Sequence, residues 1–326
     1  MRPKVKEPGI DRRAAPQYNP AMAEPAPFYR NMDRYFIRLK RGERMALSDV
    51  LRKHLRVSAE EAERLLRQGS VWDSERKVRL KDGNRVIRGE LLRVDRPKIP
   101  IAEFVLDPAD IQYQDRDLLV VYKHGSVPVQ PTPYGDSHCL LHGVQTYLSG
   151  CGISYQASPV NRLDLPAQGL VFFAKNKKSE IALHRLFQER KVRKRYLAAT
   201  LAFPGVKPSY IIRSRLEWQG KSREALTYVR FCRERDGRFH FLVFPQSGRT
   251  HQIRRHFQEQ IAPLAGDVRY GGALPGAELG LLCFHYSFPH PADGRKTSVR
   301  FIPESWRRAM GLPAAGPSET VARKKP

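Results

Sequence analysis

The chain has 326 residues, 41% of them hydrophobic, with 58 Lys and Arg against 33 Asp and Glu, a formal net charge of +25. That length suits one large domain plus a smaller one. No apolar run approaches the ~20 residues of a membrane helix, so a membrane partner is not expected. The basic start, Met1-Arg2-Pro3-Lys4, has no apolar stretch behind it, against a secretory signal. Four scattered cysteines (Cys139, Cys151, Cys232, Cys283) form neither a disulfide framework nor a zinc ribbon. A cytoplasmic location is therefore expected. The cationic excess is spread along the chain, which points to an extended basic surface for a polyanion, nucleic acid before an anionic membrane.

Residues 1–30 carry six prolines and few aliphatics, and are expected to form a disordered, proline-rich basic arm; residues 313–326 read as a disordered tail. Residues 31–95 form a small domain. Ser48 is placed to cap a helix with Val50, Leu51 and Leu55 on one face. Ser58 and Glu61 make a capping box before Ala62, Leu65 and Leu66, and Gly69 is a natural stop. Short strands are predicted over 70–72, 78–80 and 90–94. After the linker Arg96-Pro97-Lys98-Ile99-Pro100, residues 96–312 are dominated by predicted strands over 118–122, 170–174, 192–202, 239–244 and 281–288. A helix is predicted over 179–191, with Ile181, Leu183, Leu186 and Phe187 as its apolar stripe. The expected fold class is α+β, a mixed and largely antiparallel sheet preceded by a small α+β domain.

Three polar segments stand out. Asn161-Arg162-Leu163-Asp164 sets an arginine and a carboxylate two apart before the apolar strand 169–175. Lys194-Arg195-Tyr196-Leu197-Ala198 lies on a strand where Val192, Lys194, Tyr196 and Ala198 share one face. Ser247-Gly248-Arg249-Thr250-His251-Gln252-Ile253-Arg254 opens a helix that Thr250 is placed to cap, with Arg254 one turn in and Ile253 and Phe257 toward the core. Taken singly, each has a bland reading: Asp164 as a turn residue before Pro166, Tyr196 as core, Arg162 in a salt bridge, 190–195 as a solvated face. No glycine-rich phosphate loop, His-Glu-x-x-His or acidic cluster is present, and His251 lacks a second ligand at zinc spacing. Neither a cofactor nor a metal is expected.

Taken together, in this order and spacing, the three segments closely resemble the catalytic motifs of the RluA family of pseudouridine synthases. Pro263-Leu264-Ala265-Gly266-Asp267 with Tyr270-Gly271-Gly272, and residues 285–291, resemble further family segments, so the likeness runs from about residue 107 to 303. Residues 31–95 resemble the small RNA-binding domain first seen in a ribosomal small-subunit protein, with Arg64 and Arg67 on the face such domains turn to RNA. Its usual Asn-Gly turn is here Asp73-Ser74.

The resemblance implies cofactor-free isomerisation of uridine in structured RNA, and the extra RNA-binding domain favours ribosomal RNA over transfer RNA; a monomer is the default expectation. It implies that Asp164 is the catalytic carboxylate, kept ionised by Arg254, since a carboxylate removed from water drifts toward protonation without a cation beside it. Tyr196 would stack on the flipped base and Arg162 would help displace it. Lys194, His251 and Gln252 would line or brace the cleft, and Arg249 would hold either phosphate or the aspartate loop. Arg193 and Arg195 would grip backbone phosphates. Departures from the family pattern are Asn161 in place of histidine, Ala167-Gln168 in place of Thr-Ser, and Lys123-His124-Gly125-Ser126 in place of Lys-Pro-Ala-Gly. The alternative is a non-catalytic RNA-binding or ribosome-assembly protein on the same scaffold.

Overall fold

The structure is a computed structural model and describes residues 32–314 apart from 41, 98–101, 134, 204, 206, 219 and 273–276. The arm expected over 1–30 and most of the tail over 313–326 lie outside the described residues. Two compact units emerge: the described residues up to Val105 together with Gln130–Gly143, and Leu106–Val129 together with everything from Val144 on.

The smaller unit runs β1 (Met32–Ile37), β2 (Met45–Ala46), α1 (Leu47–Leu55), α2 (Ala59–Arg67), β3 (Val71–Asp73), β4 (Val78–Arg79), β5 (Val86–Ile87) and β6 (Leu92–Pro97). Four strands make one sheet in the order β1-β6-β3-β4. Val50, Leu51 and Leu55 of α1 and Ala62, Leu65 and Leu66 of α2 are buried in one core with Val71, Leu92 and Val94. Ser58 caps α2, its hydroxyl accepting from Glu61 N at 3.1 Å. Ser48, by contrast, caps nothing. The cap position of α1 is Ala46, because the amides of Leu47 and Ser48 already donate to the carbonyls of Arg85 and Gly83 (both 2.9 Å). Arg64 is half-buried and pairs with Glu61 at 3.3 Å, which also holds Arg96 at 2.8 Å. Arg67 is exposed.

The larger unit holds β7 (Ile111–Gln114), β8 (Leu118–Lys123), α3 (Leu140–Gly150, from Val144 on), β9 (Ser158–Pro159), β10 (Gln168–Ala174), α4 (Lys177–Gln188), β11 (Arg193–Thr200), β12 (Ser209–Trp218), β13 (Lys221–Arg235), β14 (Arg238–Pro245), α5 (Gln252–Gln260), β15 (Leu281–Pro289), β16 (Lys296–Arg300) and α6 (Glu304–Met310). Its ten-stranded sheet runs β12-β13-β14-β11-β15-β10-β8-β7, with β16 on β15 and β9 on β10. The expected mixed, largely antiparallel sheet is what forms; β10 and β15 are its parallel pair. That pair approaches so closely at Gly169, whose φ is +133°, that a Cβ there would collide with the Cys283 carbonyl.

Helix α4 starts two residues before the predicted one, capped by the Asn176 side chain accepting from Ser179 N at 2.8 Å. Leu183 is buried and Ile181 is 60% exposed, so the apolar stripe is narrower than expected. Two apolar clusters fill one side of the sheet. One lies around Phe172, Leu183, Tyr286 and Phe288; the other lies around Phe241, Phe257 and Leu281. Leu163 and Tyr196 pack against both. Leu197, Leu282 and Phe284 pack on the opposite side with Trp306 and Met310 of α6.

Candidate active site

Where the two clusters meet, a cleft of about 610 Å³ opens, lined by Arg162, Asp164, Tyr196, His251 and Arg254 among others. Its volume lies within the ~300–1,000 Å³ usual for small-molecule sites. The loop carrying Asp164 is pinned at each step. Asn161 accepts from Phe172 N (2.8 Å) and donates to the Tyr286 hydroxyl (2.8 Å). Leu163 is the apolar anchor, and the Asp164 carbonyl accepts from Ala167 N at 3.0 Å. The Leu165 carbonyl accepts from Ser126 N (3.0 Å) and from Lys123 Nζ (2.9 Å). Asparagine at 161 therefore ties the loop to β10 and β15 through short hydrogen bonds. At the other departure, Ala167 is buried, and Gln168 accepts from the Tyr122 hydroxyl (2.7 Å) while donating to Glu278 (2.7 Å).

Arg254 enters from the first turn of α5, 5% exposed. Its Nη1 lies 3.5 Å from Asp164 Oδ2. Its stronger partner is Asp267: Nε to Oδ2 is 2.8 Å and Nη2 to Oδ1 is 2.7 Å, a bidentate grip. One guanidinium thus faces two carboxylates. Asp267, fully buried, fixes it from behind; Asp164, with 25% of its side chain exposed, faces the cleft. Burial opposes the Arg254 charge, but the Asp267 hydrogen bonds outweigh it and raise the pKa above the ordinary arginine value.

Thr250 does not cap α5. The cap position is His251, in the left-handed conformation at φ 55° with no side-chain cap. That twist turns the imidazole onto the Tyr270 hydroxyl, 2.9 Å from Nδ1, with Nε2 3.9 Å from Asp164 Oδ1. Burial lowers the His251 pKa to about 4, so at neutral pH the ring is uncharged. Gln252 is buried and braces the loop, accepting from Ser247 Oγ (2.8 Å) and Arg249 N (3.1 Å) and donating to Leu226 O (3.0 Å) and Thr227 Oγ1 (2.9 Å). Arg249 donates to Glu224 O at 3.1 Å. Ile253 and Phe257 are buried as expected.

On β11, Lys194 and Tyr196 face the cleft. Tyr196 forms a hydrogen-bonded cluster with Cys283 and Tyr286, and burial keeps its phenol protonated. Lys194 is half-buried over the Phe187 ring, 5.4 Å from its centroid. Arg193 and Arg195 are exposed. Arg162 is exposed at the rim and has no ion-pair partner among the described residues, which sets aside its structural salt-bridge reading.

Sequence reasoning missed four contributors. Asp267 appeared only as part of a turn motif; its burial is what makes it the arginine's anchor. Tyr270 carries His251. Trp218 lines the cleft beside His251, ring centroids 5.5 Å apart. Lys123 is wholly buried, its Nζ on two backbone carbonyls, and burial lowers its pKa to about 7 against the opposing charge of Asp164. The apolar residues 118–122 that precede Lys123 on β8 were the available signal for its burial.

A buried histidine within α5 makes the stability of the fold depend on pH. His256 is fully buried between Ser214 Oγ (3.0 Å) and Thr227 Oγ1 (2.9 Å). Burial first, then Arg255, lower its pKa from 6.5 to about 4. Above pH 6.5 the ring is neutral folded and unfolded. Between 6.5 and about 4 the unfolded chain binds a proton that the folded chain does not. Stability contributed here is thus lost as pH falls, by up to about 1.4 kcal/mol per pH unit. In urea unfolding at neutral and mildly acidic pH, His256→Asn should show a shallower decline than wild type; equal slopes would remove the assignment.

Comparison with known proteins follows the same lines. A family profile described as RNA pseudouridylate synthase matches residues 117–259. The ribosomal large subunit pseudouridine synthase D of Neisseria meningitidis serogroup A is 30% identical over 258 residues, covering 72% of this chain and 68% of that protein. An uncharacterized RNA pseudouridine synthase of Aquifex aeolicus is 30% identical over 263 residues, covering 71% of this chain and 81% of that protein. Among solved structures, human RNA pseudouridylate synthase domain containing 4 superposes with a TM-score of 0.52 at 18% identity, over 62% of this chain and 91% of that one, a likeness of fold.

Proposed function

Because the chain belongs to the RluA family of RNA pseudouridine synthases, we propose that the cleft around Asp164 is where it isomerises uridine. The protein is an RNA-modifying isomerase. Its reaction breaks the glycosidic carbon–nitrogen bond of uridine and remakes it as carbon–carbon after the base turns over, with no net oxidation. Asp164 is the catalytic carboxylate, nucleophile or base in that exchange. The observation that carries this reading is the Arg254 guanidinium, gripped from behind by Asp267 and 3.5 Å from Asp164. A cation so held sets a fixed positive charge opposite the Asp164 carboxylate inside the cleft.

Tyr196 is the plate on which the extruded uracil stacks, and Arg162 assists its displacement. Lys194, Arg249 and neutral His251 border the nucleotide, while Gln252 braces their loop. Arg193 and Arg195 take backbone phosphates. Residues 31–95 act as an RNA-binding module through Arg64 and Arg67, and 96–312 as the catalytic domain. Ribosomal RNA is favoured over transfer RNA, supported by the large-subunit RNA synthase named among the relatives. Among the described residues no helix is long and apolar enough to cross a membrane; we assign the enzyme to the cytoplasm, as a monomer.

The test is pseudouridine mapping of total RNA from cells lacking the gene, complemented by wild type or by Asp164→Ala. A site lost on deletion and restored by wild type alone is the expected result. A site restored equally by the alanine variant would end the role assigned to Asp164.

A further inference from the structure

Arg193 and Arg195 belong to a larger basic face on the other side of the catalytic sheet, which extends to Lys296 and Arg300. The register of β11, β15 and β16 aligns Arg195, His285 and Arg300 in one rung and Arg193, Ser287 and Ser298 in the next, with Lys296 opposite Pro289. Alternation along β11 sends Tyr196 to the cleft and Arg195 away from it, and the one-residue register shift between them is taken up at Phe284 of β15. Val299, between Ser298 and Arg300, is buried in the cleft-side cluster, so Lys296, Ser298 and Arg300 point to the far face. Like charges on neighbouring strands repel, yet Arg193, Arg195, Lys296 and Arg300 have no ion-pair partner among the described residues. Two acids on adjoining segments are committed elsewhere: Glu189 to Arg185 and Lys191, Asp293 to Arg295. His285 adds no charge of its own. Burial, then Arg195 and Arg300, lower its pKa to about 4, and its Nε2 bonds Ser298 Oγ at 2.8 Å.

This face is continuous with the cleft. A cavity of about 1110 Å³ adjoins the catalytic one, sharing Lys194 and Arg249 with it and adding Arg190 and Arg223. A second, of about 560 Å³, shares Arg193 and Arg195 with the first and ends at Lys296 and Ser298. Among the described residues no Asp or Glu lines either of the two outer cavities. We propose that the RNA strand flanking the target uridine leaves the cleft past Arg249, crosses the start of β11, and lays its phosphates along the far face over Arg193, Arg195, Arg300 and Lys296. A polyanion relieves the repulsion that the fold leaves uncompensated. The inference rests on the chain acting on RNA, and adds the course of the strand outside the site.

The probes are fluorescent single-stranded uridine oligomers of roughly 5 and roughly 20 nucleotides, the longer exceeding the footprint of one small binding site. Anisotropy titrations across a KCl series compare wild type with Lys296→Gln/Arg300→Gln, two exposed positions whose change leaves the core intact. The variant should bind the long oligomer about tenfold more weakly and the short one within about twofold of wild type. Its salt slope for the long oligomer should fall by about 1.4, from roughly 0.7 per single-strand phosphate contact. Equal losses on both oligomers, or no loss, would overturn the path. So would length dependence that disappears in Arg64→Gln/Arg67→Gln and persists in the far-face variant. Conversion of uridine in unmodified RNA by wild type is measured alongside. A protein that shows the length-selective loss but converts nothing keeps the path and loses the catalytic reading. An enzyme that converts uridine while its long-oligomer binding ignores Lys296 and Arg300 loses the path alone.

Discussion

Asp164→Asn is expected to abolish pseudouridine formation while leaving the fold intact. The substitution keeps the shape of the side chain and removes its charge and nucleophilicity. Loss of such a group costs roughly 10³-fold or more in the chemical step. Stability should change by no more than about 1 kcal/mol, because surface-accessible, loosely held ion pairs contribute little. The geometry supports both halves: Asp164 faces the cleft at 3.5 Å from Arg254, whereas the arginine's charge is already matched by the two shorter bonds to Asp267. Single-turnover assays on unmodified RNA, paired with urea unfolding, measure both. Retention of a tenth of the wild-type rate would mean that the carboxylate is not the reacting group.

Asp267→Asn should behave in the opposite way, with a large loss of stability as well as of activity. Arg254 and Asp267 are both buried. Removing one charge of a buried pair leaves the other uncompensated, at a cost of about 3–5 kcal/mol. The freed guanidinium would turn toward Asp164, the remaining carboxylate within reach, and draw it off its position. Activity should therefore fall even in the fraction that stays folded. Arg254→Leu/Asp267→Leu supplies the control. Replacing a whole buried pair with apolar groups is often neutral for stability, so the double variant should regain most of the lost stability and remain inactive. A destabilisation by Asp267→Asn below about 1 kcal/mol would show that Asp267 is not the anchor.

The two variants separate carboxylates that sequence alone could not rank. Asp164 was legible because its motif, an arginine two residues before it and an apolar strand directly after, lies within a few consecutive residues. Tyr196 and Arg254 were legible in the same way, as were the buried positions of α2 and α5, where helical spacing carries the pattern. Strands β8, β10 and the first four residues of β15, Leu281–Phe284, are continuous apolar runs because both faces of the sheet are covered there, and such runs announce themselves. Hairpin β12–β13 did not. Only two of the ten residues of Ser209–Trp218 are buried, Ile212 and Leu216, so the alternation that marks a strand is lost among its charges. Trp218, at the end of that hairpin, was missed with it.

The sequence by itself determined the family and the fold class and pointed to Asp164 and Arg254 as the candidate carboxylate and its cation, since each is written in local motifs or local periodicity. Only the tertiary structure decided which groups those residues meet. It gave Arg254 to Asp267 more firmly than to Asp164, left Thr250 and Ser48 without the caps their spacing promised, and set His251 in a left-handed turn against Tyr270. It also brought Arg195 and Arg300 into one rung across β15. The physical reason is common to all of these. Hydrogen-bond partners and charge pairs across a sheet are set by register and burial, and register joins residues that the chain order keeps far apart.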